Sequence, residues 1–284
     1  MARAGPTVYA SPMFGPLDHR AVALFEERYG VVRAERGLDG LADLVQGFSR
    51  LPYENLSKII AWRAGALPPT PRRPDRVMED HAALGTGGTC FSLTELLRQL
   101  VASRGLEARP VMAHMKHGLD IHCALQVELH GRPYLLDPGY LVGRPLPLEP
   151  GSEADWRPGE GRLLAGGAIP GVPDTGGLDL FTMEPEGPRW RYRLGARPAR
   201  PVEFERRWLE SFRLPGMRSL VVTRRAEDGD RLYLHDHKLR IRGARRVNEN
   251  VRATLDATVE RLFGIDAHVV AAARELLGRD GQGG

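Results

Sequence analysis

The chain is short of several things that would each point to a class of function. It has two cysteines, Cys90 and Cys123, in 284 residues, so no disulfide framework is available and folding must rest on an apolar core. Only three of its 40 basic residues are lysines: Lys58, Lys116 and Lys238. The arginines are scattered, and no basic run interleaved with aromatics occurs of the kind that follows a phosphate backbone. The net charge of +4 therefore predicts no nucleic-acid partner; the arginine bias, with abundant Ala, Gly and Pro, reads as GC-rich codon usage. No stretch approaches the roughly 18–20 apolar residues of a membrane span. The first twenty residues lack the apolar core of a secretory signal. These absences predict a cytoplasmic protein with no membrane partner. Repeats and low-complexity tracts are missing too. His114, His117 and His122, with Asp120 or Cys123, do not make a metal site, because an i, i+3 histidine pair does not share a strand face and no second cluster completes a tetrahedral set.

What is present is ordinary for a folded domain: 42% hydrophobic and 27% charged residues, enough for a core of useful size. Residues 21–29 and 41–48 carry helical spacing, with Gly30 and Gly37 as stops. The string Leu67-Pro68-Pro69-Thr70-Pro71-Arg72-Arg73-Pro74 can be neither helix nor central strand, and a short helix follows over 75–84. Leu93, Leu96, Leu97, Leu100 and Val101 fall at i, i+3, i+4, i+7 and i+8, one face of a buried helix closed by Gly105. The period then drops to two. Ile121, Cys123, Leu125, Val127 and Leu129 alternate with His122, Ala124, Gln126 and Glu128, a half-buried strand. His130-Gly131 can turn it back through 132–137. Residues 139–177 read as loop; 189–194, 219–224 and 230–235 read as strands; 244–277 reads as mostly helical. The order suggests an α+β protein.

Three residues could carry chemistry. Cys90 follows Gly87-Gly88-Thr89, and Thr89 as N-cap would place it in the first helical turn. A capping box at Ser92-Leu93-Thr94-Glu95 would start the helix a few residues later. Either way unpaired N–H groups and the helix dipole favour a thiolate there. Taken alone, Cys90 is equally readable as a small buried residue at a helix start. The hairpin sharpens the choice. A two-residue turn at His130-Gly131 pairs Leu129 with Arg132, making His122 and Asp137 diagonal neighbours on one face; a one-residue slip would separate them. Asp137 could then orient His122, and His122 could deprotonate Cys90. The bland alternative is a surface histidine and a turn-initiating aspartate. Cys123, on the other face from His122, reads as core.

The ordered set Leu51-Pro52-Tyr53-Glu54-Asn55-Leu56, Gly-Gly-x-Cys at 87–90, His122 and Asp137 resembles the arylamine N-acetyltransferases. A weaker likeness runs on through Pro201-Val202-Glu203-Phe204, 219–224 and 231–234. The resemblance implies a helical lobe (1–105), a central antiparallel β-barrel lobe (106–210) and a C-terminal α/β lid (211–284) around a cysteine-protease-like catalytic core. It implies acetyl transfer from acetyl-coenzyme A, or another acyl thioester, through a Cys90 acyl-enzyme to an amine acceptor, with no permanent cofactor. An amide synthase or other biosynthetic acyltransferase using a bulkier acyl chain or one bound to an acyl carrier protein, or a thiol hydrolase in which water replaces the amine, are the rival enzymes; a binding module without catalysis is the non-enzymatic rival. The chain departs from the family at the acceptor side. The family's arginine before the glycines is Thr86, so Glu54 needs another partner; the aromatic before the nucleophile is Thr89, with an aromatic at Phe91 instead; and Asp137 is followed by Pro138-Gly139-Tyr140-Leu141-Val142. Thr89, Phe91, Gly139 and Tyr140 are the expected substrate-binding residues.

Overall fold

In a computed structural model the described residues are 14–31, 37–64, 69–152 and 161–280. Helices come first: α1 (His19–Tyr29), α2 (Gly37–Phe48), α3 (Leu56–Ala64), α4 (Pro74–Leu84) and α5 (Cys90–Ala102), with the two-residue strand β1 (Tyr53–Glu54) between α2 and α3. Local chemistry sets their ends. The Asp18 side chain accepts from the Arg20 N–H at the start of α1, and Gly30 ends it at φ 64°, a left-handed conformation that favours glycine. Pro74 opens α4, where its missing N–H has no helical acceptor to lose. Gly37, expected to stop a helix, instead opens α2. The anticipated proline stretch is helix-free over 69–73, and Leu67 and Pro68 lie outside the described residues.

α5 is buried on every side, not on one face: each residue from 90 to 101 is buried. Its polar side survives burial because Glu95, 0% exposed, accepts from Arg98 Nε (2.8 Å), Arg98 Nη2 (2.7 Å) and Gln99 Nε2 (2.9 Å), so no charge is left uncompensated. Helices α2 and α4 pack on one side of it and strands β2 (Ala108–Met115) and β3 (Gly118–Leu129) on the other.

Those strands belong to a seven-stranded antiparallel sheet with β4 (Arg132–Leu136), β5 (Leu146–Pro147), β6 (Gly161–Ala165), β7 (Leu178–Glu184) and β8 (Gly187–Pro198), in the order β5-β4-β3-β2-β8-β7-β6. The edge strands β5 and β6 approach each other and bring the sheet near to closure as a barrel. β5 and β6 both fall within 139–177, the stretch whose sequence reads as loop. The β3–β4 register pairs Leu129 with Arg132 and Leu125 with Leu136, as the His130-Gly131 turn predicts; His130 and Gly131 both take positive φ, 51° and 75°.

Helix α6 (Pro201–Glu210) leads to a second antiparallel sheet, β1-β9-β10-β11-β12, formed by β1 with β9 (Val221–Arg225), β10 (Arg231–His235), β11 (Lys238–Arg242) and β12 (Arg246–Asn250). β12 occupies a stretch expected to be helical; α7 (Leu255–Phe263) and α8 (Ala267–Asp280) supply the helices there. Val222, Leu232, Leu234, Leu239 and Ile241 turn one face of this sheet into a core with α7, α8 and Leu56 and Ile59 of α3. The N-terminal third thus reaches into the C-terminal sheet through both β1 and α3. No helix of the described residues is long and apolar enough to cross a membrane.

Tyr53–Glu54 also lies against the nucleophile loop: Tyr53 bridges Gly88, and the Glu54 N–H donates to the Gly88 carbonyl at 3.0 Å. A Cβ on Gly87 would sit 1.8 Å from the Pro52 carbonyl oxygen, so glycine is demanded by close backbone approach. Glu54, 0% exposed, accepts from the Ser57 N–H at 2.8 Å and the Ser57 hydroxyl at 2.6 Å, and its nearby cation is Arg72, 3.9 Å away; Arg72 also pairs with Asp80 at 3.1 Å and donates to the Gly87 carbonyl. The arginine missing at Thr86 is replaced from the proline-rich stretch. Arg72→Met should lower the unfolding temperature by several degrees, on the order of 1–3 kcal/mol for a buried carboxylate losing a charged partner. Arg76→Met, whose ion pairs with Glu79 and Asp80 hold an arginine side chain that is 62% exposed, should change it little in the same melting experiment.

Candidate active site

Cys90 is the first residue of α5, and the first intrahelical acceptor is the Thr89 carbonyl, taken by the Leu93 N–H at 3.0 Å. The amides of 90–92 therefore point out of the helix end without helical partners. Thr89 stands at the N-cap with extended backbone, but its hydroxyl makes no capping bond. His122, in the middle of β3, and Asp137, one residue beyond β4, meet as the register requires: Nε2 to Oδ2 is 3.1 Å, with side chains 5% and 0% exposed.

Asp137 is held from all sides. Its Oδ1 accepts from the Gly139 and Tyr140 N–H groups, each at 2.9 Å, and its Oδ2 accepts from His122 and from the Tyr192 hydroxyl at 2.5 Å. Tyr192, on β8, was not anticipated; nothing in local spacing marks a residue 55 positions downstream of its partner. The His122 ring packs between Tyr192 (4.7 Å between centroids) and Tyr140 (5.1 Å, edge-on). Gly139 closes the third side: a Cβ there would lie 2.6 Å from His122 Cε1 and 3.0 Å from Cys90 Cβ. Since Nε2 is spent on Asp137, Nδ1 is the ring nitrogen left to face Cys90.

The electrostatics follow. Burial works against a charged His122, but the Asp137 carboxylate and the bonds to Asp137 and Cys90 outweigh it and raise its pKa to about 10. The neighbouring Cys123 thiol, then His122 and the charge of Lys58, push Cys90 well below an ordinary thiol, against the opposing effect of burial. Cys123 goes the other way, raised by burial and by the neighbouring Cys90. Cys123 is core, as its strand position implies, yet it also touches the nucleophile; its Sγ donates to Thr94 Oγ1, one helical turn from Cys90, at 3.5 Å.

Cys90 borders two cavities. The larger, about 740 Å³, runs between the β7–β8 hairpin and the open face of the second sheet, and takes in His122, Gly139 and Tyr140. The smaller, about 110 Å³, takes in Thr89 and Phe91. The four expected substrate-binding residues are therefore divided between two pockets. Phe91 is also 1% exposed and packed against Phe204 and Trp208. Leu141, expected to add surface to the pocket, is instead core, 1% exposed and at φ 53°.

The large cavity is basic. Cross-strand pairing aligns Arg225, Arg231, Arg242 and Arg246 in one row across β9–β12, a like-charge ladder that costs stability unless anions face it. Glu184 serves both Arg191 and Arg231, and Glu186 serves Arg246 at 2.6 Å; Arg189 and Arg240 add further positive charge to the wall.

The family profile described as N-acetyltransferase matches residues 37–268; the chain belongs to that family, the arylamine N-acetyltransferases. Solved structures agree in fold. The arylamine N-acetyltransferase from Mycobacterium abscessus superposes with a TM-score of 0.75 at 19% identity, covering 98% of this chain and 99% of that one. That from M. tuberculosis gives 0.71 at 21%, covering 90% and 99%. The Mycobacterium marinum enzyme in complex with CoA gives 0.71 at 21%, covering 90% and 96%. No curated protein matches the chain in sequence.

The depressed Cys90 and raised His122 describe an ion pair that holds through neutral pH, since His122 keeps its proton until about pH 10. Alkylation of Cys90 by sub-stoichiometric iodoacetamide should thus vary little between about pH 6 and 8. It should show no inflection near the ordinary thiol value of about 8.5. His122→Ala should restore that inflection, and peptide mapping should find Cys123 unlabelled in both proteins.

Proposed function

We propose that the protein is a ping-pong acyltransferase that moves an acetyl or other short acyl group from a coenzyme A thioester to an amine-type acceptor through a thioester on Cys90. The observation that carries this reading is the convergence of Cys90, His122 and Asp137 at the end of a cavity with a cationic wall. Family membership and the cysteine-protease-like arrangement of the three residues support it.

In the first half-reaction the Cys90 thiolate attacks the thioester carbonyl. The amides at the start of α5 are placed to donate to the oxyanion, a contribution worth about 3–4 kcal/mol per well-aimed donor. Collapse breaks the donor's C–S bond, and the protonated His122 gives its proton to the departing thiolate. In the second half-reaction an amine attacks the Cys90 thioester and His122 takes its proton. Asp137 keeps one tautomer and stabilises the imidazolium throughout. The arginine row and Arg189 suit the phosphates of the coenzyme, which must lie towards the cavity mouth while the pantetheine arm reaches Cys90.

The acceptor side is where this chain differs from its family. Thr89 offers no stacking face beside the nucleophile, and Tyr140 packs against His122 and Tyr192. Acyl-enzyme formation should therefore persist while transfer to aniline-type amines is slow. Intact-mass spectrometry after incubation with acetyl-CoA, followed by addition of an arylamine, separates the two steps. A mass gain on Cys90 with sluggish discharge is the expected result. Arylamine acetylation at a kcat/KM of about 10⁴ M⁻¹s⁻¹ or more would show that the departures are neutral, and absence of any mass gain would refute the mechanism.

A further inference from the structure

The smaller cavity contains two polar groups that burial leaves wanting. Lys58, on α3, is 8% exposed, and among the described residues no carboxylate pairs with it. Its Nζ donates to Ser211 Oγ at 2.5 Å and stands 4.6 Å from the centroid of Phe212. A hydroxyl and a π face occupy an ammonium without neutralising it, and burial draws its pKa down to about 8. Across the same cavity, Thr89 is 6% exposed and its Oγ1 has no hydrogen-bond partner. The negative charge closest in kind is the Cys90 thiolate, whose field supports the charged lysine.

That support vanishes in the cycle proposed above. Acylation turns the Cys90 thiolate into a neutral thioester, and a buried cation then remains with nothing to balance it. The large cavity must release the thiol carrier and admit the acceptor, whereas the acyl group stays on Cys90 between those events. A side cavity touching Cys90 is the place where it can wait without blocking either. At about 110 Å³ there is room for roughly three or four water-sized groups.

We propose that this cavity is the acyl pocket and that it selects short acyl groups ending in a carboxylate, three- or four-carbon dicarboxylic acids carried as monothioesters. The terminal carboxylate would accept from Lys58 Nζ and Thr89 Oγ1. The chemistry at the reacting end is unchanged: the donor's C–S bond breaks, the Cys90 Sγ–C bond forms, the carrier leaves as its thiol, and the distal carboxylate keeps its charge. The inference rests on Cys90 as the acylated nucleophile, and its test separates the two.

The test follows acyl-enzyme formation by intact mass for malonyl-, succinyl-, acetyl- and butyryl-CoA, with the native protein, Lys58→Met and Thr89→Val. Lys58 also favours the thiolate, so Lys58→Met should slow every donor. The ratio between acidic and neutral donors removes that common effect. In the native protein one of the acidic donors should acylate about ten- to a hundredfold faster than butyryl-CoA, the range for a hydrogen bond to a charged group. The ratio should fall towards one in Lys58→Met and part of the way in Thr89→Val, which keeps the inference testable if the lysine variant does not fold. Neutral donors reacting as fast as acidic ones, or a preference untouched in the variants, would overturn the selectivity while leaving Cys90 as nucleophile. No adduct from any thioester would overturn both.

Discussion

The carboxylate of Asp137 is the contact on which the rest of the site depends. It is 1% exposed and its two oxygens accept four hydrogen bonds, two from backbone amides of its own turn, one from His122 and one from Tyr192. A buried carboxylate with fewer donors would shed its charge or its position. With all four it cannot rotate, and it fixes the imidazole in plane, tautomer and charge. Cys123, His122 and the charge of Lys58 in turn draw the Cys90 thiol down inside a core of Phe91, Met112, Phe204 and Trp208, where burial alone would push it up. Three elements far apart in sequence must therefore be correct together: the start of α5, the β3–β4 hairpin and the middle of β8.

The hairpin, its partner strand and the nucleophile helix were legible in the sequence because their determinants are local. Alternating apolar residues fix which face of β3 is buried, and His130-Gly131 fixes the turn, so the pairing of Leu129 with Arg132 follows. The heptad-like stripe from Leu93 to Val101 announces α5, although not that its polar side is buried as well. Other features were illegible for a shared reason: their determinants lie elsewhere in the chain. Tyr192 reaches Asp137 only because β8 lies beside β2. Nothing local in the sequence marks Lys58; it is buried because Phe212 and Ser211 close over it. β12 reads as helix by composition and becomes a strand because β11 offers an edge to pair with, an instance of tertiary context overriding weak propensity. Gly37 carries the usual signal of a helix end, and the signal does not say which end.

Cys90 opens onto two spaces of different character. The large cavity is wide and cationic, suited to a carrier that arrives and leaves with its phosphates. The small one is lined by Tyr53 and Phe91, by aliphatic side chains and by the polar Asn55, Lys58, Thr89 and Ser211. Tyr53, Ile121 and Val221 border both cavities along with Cys90, so the nucleophile stands at a neck rather than at the floor of a single cleft. Both pockets are shaped by β1 and β9, the pair through which the N-terminal helices join the second sheet. Displacing that sheet would alter the donor entrance and the side pocket at once.

The departures from the family pattern show which demands are physical and which are merely customary. A buried Glu54 beside the glycine loop has the Ser57 N–H and hydroxyl as donors, and its negative charge is still best balanced by a nearby cation. The demand is met from Arg72 once position 86 carries threonine, and Arg72 takes over the Gly87 carbonyl as well. The guanidinium is needed; the position it comes from is not. Thr89 has no such substitution. The aromatic at Phe91 points into the packing of Phe204 and Trp208 and does not refill the space beside Cys90, which stays open and is floored by an ammonium. Where a lost group served the fold, the chain has found a replacement. Beside Cys90 there is no such replacement, and the open space there is lined by the Lys58 ammonium and a Thr89 hydroxyl with no hydrogen-bond partner.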